Sequence, residues 1–191
     1  RTLEAKMYHI KNDKRARAST ELICAGLLAC MKEKPFARIT ITDVQRASTV
    51  SRSTFYRNFD CLEDALALLC DRGFQAVFSE YNALPPEQRG SLAKTVFQYW
   101  FRSSAVLEAL VQIHRTYILF DSLRRSSGLI QAPQPMADDP ARFDYFVAII
   151  TSSMIGVLTV WVEHGKTETE DQMVQKLTSA FIEMAILELP G

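Results

Sequence analysis

Two helix-start signals, eleven residues apart, constrain this chain more than any other feature. Thr40-Ile41-Thr42-Asp43 reads as a capping box. The Thr40 hydroxyl is placed to accept the N3 amide, and Asp43, in place of the more usual Glu, to reach back to the cap. Ser51 opens a second start at Ser51-Arg52-Ser53-Thr54. Between them fits one helix of about eight residues, ending near Ala47, and a short turn through Ser48, Thr49 and Val50. Two short helices joined by such a turn make a helix-turn-helix. A first helix over about 13–31 precedes them, with Ala16, Leu22, Ile23, Ala25, Gly26, Leu27 and Ala29 as its apolar face and Pro35 marking the connection. Val44, Val50, Phe55 and Phe59 are the residues expected to pack this small module.

The side chains of the second short helix point to nucleic acid. Arg52, Ser53 and Thr54 occupy its first turn, where side chains meet base edges in a major groove. Arginine matches the acceptors of guanine, while short hydroxyl residues permit close approach. Tyr56 and Arg57 suit phosphate, Ser51 is the cap, and the helix start at Thr40 presents its amides to the backbone. Charge agrees once it is located. The 191 residues carry 22 Lys and Arg against 22 Asp and Glu, a net of zero. Residues 1–60, however, hold 12 basic and 6 acidic side chains, net +6, and residues 61–191 hold 10 and 16, net −6. The chain divides into a basic head, 1–60, and an acidic body, 61–191.

The body is expected to be helical throughout. Asp60 and Glu63 suggest a cap for a fourth helix, 61–81, which carries Leu62, Ala65, Leu66 and Leu69 at helical spacing and connects the two parts. Pro85-Pro86 breaks the chain before segments at about 87–103 and 106–125. Residues 126–140 contain Gly128, Pro133, Pro135 and Pro140 and read as a loop. Helices over about 140–164 and 168–188 follow, with Gly165 as a natural C′ residue and Glu168, Glu170 and Asp171 at the start of the last. No alternating strand pattern occurs, so the fold class is all-α. Tyr145 to Val162 is 18 residues without a charge, near the length that spans a bilayer. Its four Ser/Thr and its amphipathic neighbours make it a buried or subunit-interface helix instead.

The run TITDVQRASTVSRSTFYRNFDCLEDAL, with the preceding ICAGLLACMKEKPFARIT, resembles the DNA-binding signature of the TetR/AcrR family of bacterial transcription regulators. The resemblance covers about residues 13–70. It implies phosphate contacts for Thr40 and Tyr56, and positions at or near the bases for Arg52, Ser53 and Thr54. It also implies a small N-terminal DNA-binding domain on a larger helical domain that binds an effector and dimerises through its last two helices. Three positions depart from the pattern: Ser48-Thr49 stands where Ala-Gly is usual, Gln45 replaces a small residue, and Leu62 replaces a lysine. The segment DYFVAIITSSMIGVLTVWVEHGKTETEDQMVQKL resembles, more loosely, the subgroup containing the dihydroxyacetone-kinase regulator DhaS.

From these residues come the remaining expectations. Phe97, Trp100, Phe101, His114, Tyr117 and Phe120, with Tyr99 among them, are the group expected to line an apolar effector pocket. In the helix over 140–164, Ser152, Ser153 and Gly156 permit close helix approach, and Ile149, Val160 and Trp161 supply apolar area, so that a homodimer forms through a four-helix interface. The three histidines, and Cys24, Cys30, Cys61 and Cys70, show no metal-ligand spacing, and the cysteines read as small hydrophobes in a reducing compartment. No nucleophile–base pair and no Gly-rich phosphate loop is recognisable, so neither catalysis nor a cofactor is expected. The N-terminal segment has no apolar signal-peptide core, and a cytoplasmic protein without membrane association is expected. Two functions fit. One is a homodimeric repressor that binds a double-stranded DNA operator under control of a small-molecule effector. The other is a TetR-like coregulator acting mainly through a protein partner.

Overall fold

The computed structural model describes residues 7–11, 13–129 and 139–187. Within them the chain forms nine α-helices and no strand, as the all-α expectation requires. Helix α1 is Lys14–Glu33, α2 is Ile41–Ser48 and α3 is Arg52–Asn58. The long α4, Leu62–Ala83, is followed by α5, Leu92–Arg102, α6, Ser104–Gln112, and α7, Tyr117–Ser126. Helices α8, Pro140–Glu163, and α9, Glu170–Leu187, complete the body. Most of the loop expected over 126–140 lies outside the described residues.

Local chemistry explains the boundaries. Asp13 caps α1 by accepting the Ala16 amide at 2.8 Å. At α2 the capping box forms in full: the Asp43 amide donates to Thr40 Oγ1 at 3.2 Å and the Thr40 amide to Asp43 Oδ2 at 2.8 Å. Ser51 accepts the Thr54 amide at 3.3 Å to open α3. The start of α4 differs from expectation. Asp64, not Glu63, reaches back, accepting the amides of Asp60 and Cys61 at 2.7 and 3.2 Å, which makes Cys61 the cap. Leu62 is then buried.

Two segments read as continuous helices are divided. Ser91 caps α5, so that helix starts five residues later than the sequence pattern suggests, after a 3₁₀ turn at Pro86–Gln88. The stretch over 106–125 breaks at His114, which takes φ 56°. There the His114 amide donates to the Val111 carbonyl at 3.1 Å and the Arg115 amide to the Leu110 carbonyl at 2.8 Å. That paired return closes α6 in the manner of a Schellman motif, without the glycine that normally announces one. The same arrangement ends α8, where Gly165, φ 79°, and Lys166 donate to the Val162 and Trp161 carbonyls at 3.0 and 2.8 Å.

Helix α1 packs across α2, α3 and α4, and α4 continues into the body against α5, α6 and α7. Helix α8 lies on α6, α7 and α9, and α9 returns against α5. One apolar cluster runs unbroken from Ile23 and Leu27 of the head through Leu66, Phe74 and Phe78 of α4 to Leu158 and Met173 of the last two helices. An Arg72–Glu21 pair, bonded through both guanidinium branches at 2.6 and 3.0 Å, staples α4 to α1 at the surface. All four cysteines are free; burial pushes the Cys24 thiol up to about 11, in keeping with a packing role.

Candidate nucleic-acid interface

The helix-turn-helix is held from beneath by the residues expected to do so. Val44, Phe55 and Phe59 are fully buried, and Val50 is buried in the turn. Thr49 carries the chain direction change in the left-handed region, at φ 58° and ψ 14°. A β-branched residue therefore occupies a conformation that glycine takes without strain. Gly26 of α1 lets α2 come close: a Cβ there would stand 2.8 Å from the Cβ of Ser48.

With its inner face committed to the core, α3 turns Ser51, Arg52, Ser53, Tyr56 and Arg57 to solvent, and Thr54 is half-buried at the edge. Thr40 lies exposed at the start of α2. The structure thus gathers all seven residues on the helix-turn-helix surface. Ser51 Oγ lies 3.1 Å from Ser53 Oγ and 2.9 Å from Thr54 Oγ1, so the hydroxyls form a small cluster at the N-terminus of α3. Arg52 folds along its own helix, donating to the Tyr56 hydroxyl at 3.3 Å, its guanidinium 5.4 Å from the ring centroid. Lys34 and Thr40 both bond the Asp43 carboxylate, Lys34 at 2.7 Å, and these bonds hold that carboxyl well below the usual range.

An unexpected contributor is the arm before α1. The His9 amide donates to the Asn58 carbonyl at 3.2 Å, and His9 Nε2 lies 3.3 Å from the Tyr56 carbonyl. The arm therefore covers two carbonyls at the end of α3 that a helix leaves open. Nothing in the pattern of Tyr8-His9-Ile10 signals this, because the contact is made with residues about fifty positions away.

The aromatic residues expected to line one pocket are not brought together. Phe97 and Trp100 are sealed in the core, with Trp100 5.3 Å from Phe74. Phe101 stacks on Trp161 with ring centroids 4.1 Å apart. His114 and Tyr117 are exposed and Phe120 is half-buried. Phe97, Trp100 and Phe101 lie on α5 and Tyr117 and Phe120 on α7, with His114 at the break between α6 and α7. A cavity of about 220 Å³ lies elsewhere, between α4, α5, α7 and α8. Phe78, Leu92, Val96, Leu123, Phe143, Phe146, Ile150 and Met154 line it, with Ser127 and Thr151 as hydroxyl groups.

On α8, Ile149, Ser152, Gly156 and Val160 form an exposed stripe with half-buried Ser153, extended by Tyr145. Trp161 does not belong to it. It is 4% exposed, its indole N–H donates to the Glu168 carbonyl at 3.2 Å, and its ring is covered by Phe101. Ile182, Met184 and Ile186 continue the apolar surface on α9, and a groove of about 370 Å³ runs between the two helices. By length and composition α8 is also apolar enough to cross a bilayer, but its Val147, Thr151, Met154, Ile155 and Leu158 are buried against the body. No group of metal-ligating side chains occurs among the described residues.

These features define a two-part helical protein: a capped helix-turn-helix on a larger body with an internal cavity and an apolar outer face. No family model and no curated protein matches the chain by sequence. Among solved structures, it is similar to a TetR transcriptional regulator from Streptococcus agalactiae, 18% identical, with a TM-score of 0.57 over 88% of this chain and 96% of that one. It is similar also to a protein assigned to the TetR family of transcriptional regulators from Syntrophomonas wolfei, 17% identical, with a TM-score of 0.63 over 91% and 97%. The chain has the TetR-regulator fold.

Proposed function

We propose that this protein is a transcription regulator that binds a double-stranded DNA operator as a homodimer. The observation that carries the reading is the exposed first turn of α3. Arg52 and Ser53 are exposed and Thr54 is half-buried at a capped helix start, with Thr40, Tyr56 and Arg57 flanking them. A helix so presented reads base edges with its N-terminal residues while the flanks hold phosphate. The exposed apolar stripe of α8 and α9 supports pairing of two copies, which would set two recognition helices on half-sites about 34–36 Å apart or a multiple of it. The cavity between α4 and α8 supports control by a small effector, and repression relieved by that effector is the form of control we favour. Its lining suits a compact, mainly hydrocarbon molecule carrying a hydroxyl or carbonyl; a cavity of roughly 150 Å³ already accepts benzene.

The test is selection of bound genomic fragments followed by titration of the selected operator. Replacing Arg52 by Ala is expected to cost about 1–3 kcal/mol on that operator and little on scrambled duplex. Equal affinity of the parent protein for operator and scrambled DNA at fixed salt would refute the reading. It would favour the coregulator that works through a protein partner.

A further inference from the structure

At the junction of head and body, the Asp71 carboxylate joins three separate parts of the chain. It sits on α4 and is 3% exposed. Its Oδ2 accepts from the Tyr8 hydroxyl of the N-terminal arm at 2.7 Å. Its Oδ1 accepts from Arg125 Nη2 at 2.8 Å and from the Ser122 hydroxyl, both on α7. Burial, and then the bond to Asp71, raise the Tyr8 phenol above its ordinary value, so it stays a donor across the physiological range. A buried carboxylate is tolerable only with such satisfaction, which makes the arrangement specific rather than incidental.

Each end of this network leads to a feature already described. On the arm, the residue after Tyr8 is His9, whose backbone and ring meet the carbonyls of Asn58 and Tyr56 in the last turn of α3. Leu123 of α7, and Ser127 directly after that helix, form part of the cavity wall, beside the two donors to Asp71. We propose that Asp71 is a positioning residue for the recognition helix: it clamps the arm to α7, so that the setting of α7 is felt at α3. A short rigid helix cannot shift its cavity face without carrying Ser122 and Arg125 with it. The consequence for operator binding rests on the function proposed above; the mechanical link between α7 and α3 does not.

Asp71→Ala would strand a partly buried arginine, so the test uses milder changes in the full chain. Tyr8→Phe keeps the ring and removes one donor; Ser122→Ala removes another from the far side. Amide hydrogen exchange is read at Tyr56–Phe59 in the absence of DNA, with α9 as the internal reference. Each variant is expected to speed exchange at α3 about tenfold, the effect of losing one hydrogen bond to a charged group, and to leave α9 unchanged. The double variant is expected to be no faster than the faster single one, because both cuts sever the same link. Unchanged α3 exchange in Ser122→Ala, effects that multiply in the double variant, or equal acceleration in α9 would each overturn the proposal. Because no operator enters this readout, failure of DNA binding leaves its outcome standing.

Discussion

Thr49 holds φ 58° in the turn between α2 and α3, where a side chain with a branched Cβ is crowded by its own backbone. An L-residue pays about 1–2 kcal/mol for that region and glycine does not, although glycine loses more entropy on folding. Thr49→Gly is therefore expected to stabilise the chain by about 0.5–1 kcal/mol, read as a higher urea midpoint at unchanged slope. The position was legible in the sequence, since a turn of this kind asks for glycine. Asp43 was legible as a cap partner, but its bond to Lys34 was not, because Lys34 lies beyond the preceding connection. The folded carboxyl is held below its ordinary value, first by Lys34 and then by Thr40. Its contribution is thus complete above the usual carboxylate range and is lost as pH falls below it. Protection of the α2 amides, taken relative to their intrinsic exchange rates, is expected to fall on acidification through that range, and Asp43→Asn to remove most of that pH dependence.

Several helix ends were legible from the side-chain chemistry they carried, although the Ser91 cap of α5 and the Asp64 partner at α4 were not. Asp13, Thr40, Ser51 and Gly165 all stand at the boundaries their residue types announce. The division of the body at His114 was hidden, because a Schellman return made by histidine leaves no glycine to read. On α8 the small and apolar residues were legible as a stripe, but which of them faced inward was not, and Trp161 went to Phe101. Ile149 remains 55% exposed. Ile149→Asp buries nothing within a single chain, so it is expected to leave helix content unchanged in circular dichroism while moving sedimentation from dimer to monomer. An unchanged dimer would place the interface elsewhere.

Charge acts over the whole molecule. A head of net +6 beside a body of net −6 is expected to orient the chain in the field of DNA before any contact forms. Operator affinity is expected to fall linearly on a log–log plot against salt. Arg57→Ala is expected to weaken operator and scrambled duplex alike and to flatten the slope by about one, the signature of a phosphate contact. Anisotropy titrations across a salt series separate this from Arg52→Ala, which should alter sequence preference and leave the slope nearly unchanged.

The amino-acid sequence by itself determined the all-α class, the capped helix-turn-helix, the outward-facing residues of α3 and the division of charge. All of these follow from local rules: a cap and its amide lie within one turn, and a helix face repeats every few residues. Only the tertiary structure decided where the cavity lies, why Gly26 is needed beneath Ser48, and that Tyr8, Asp71, Ser122 and Arg125 share one buried carboxylate. Those depend on residues from separate helices meeting in space, fifty or more positions apart for the Asp71 contacts, and no local periodicity encodes which of many buried faces will meet.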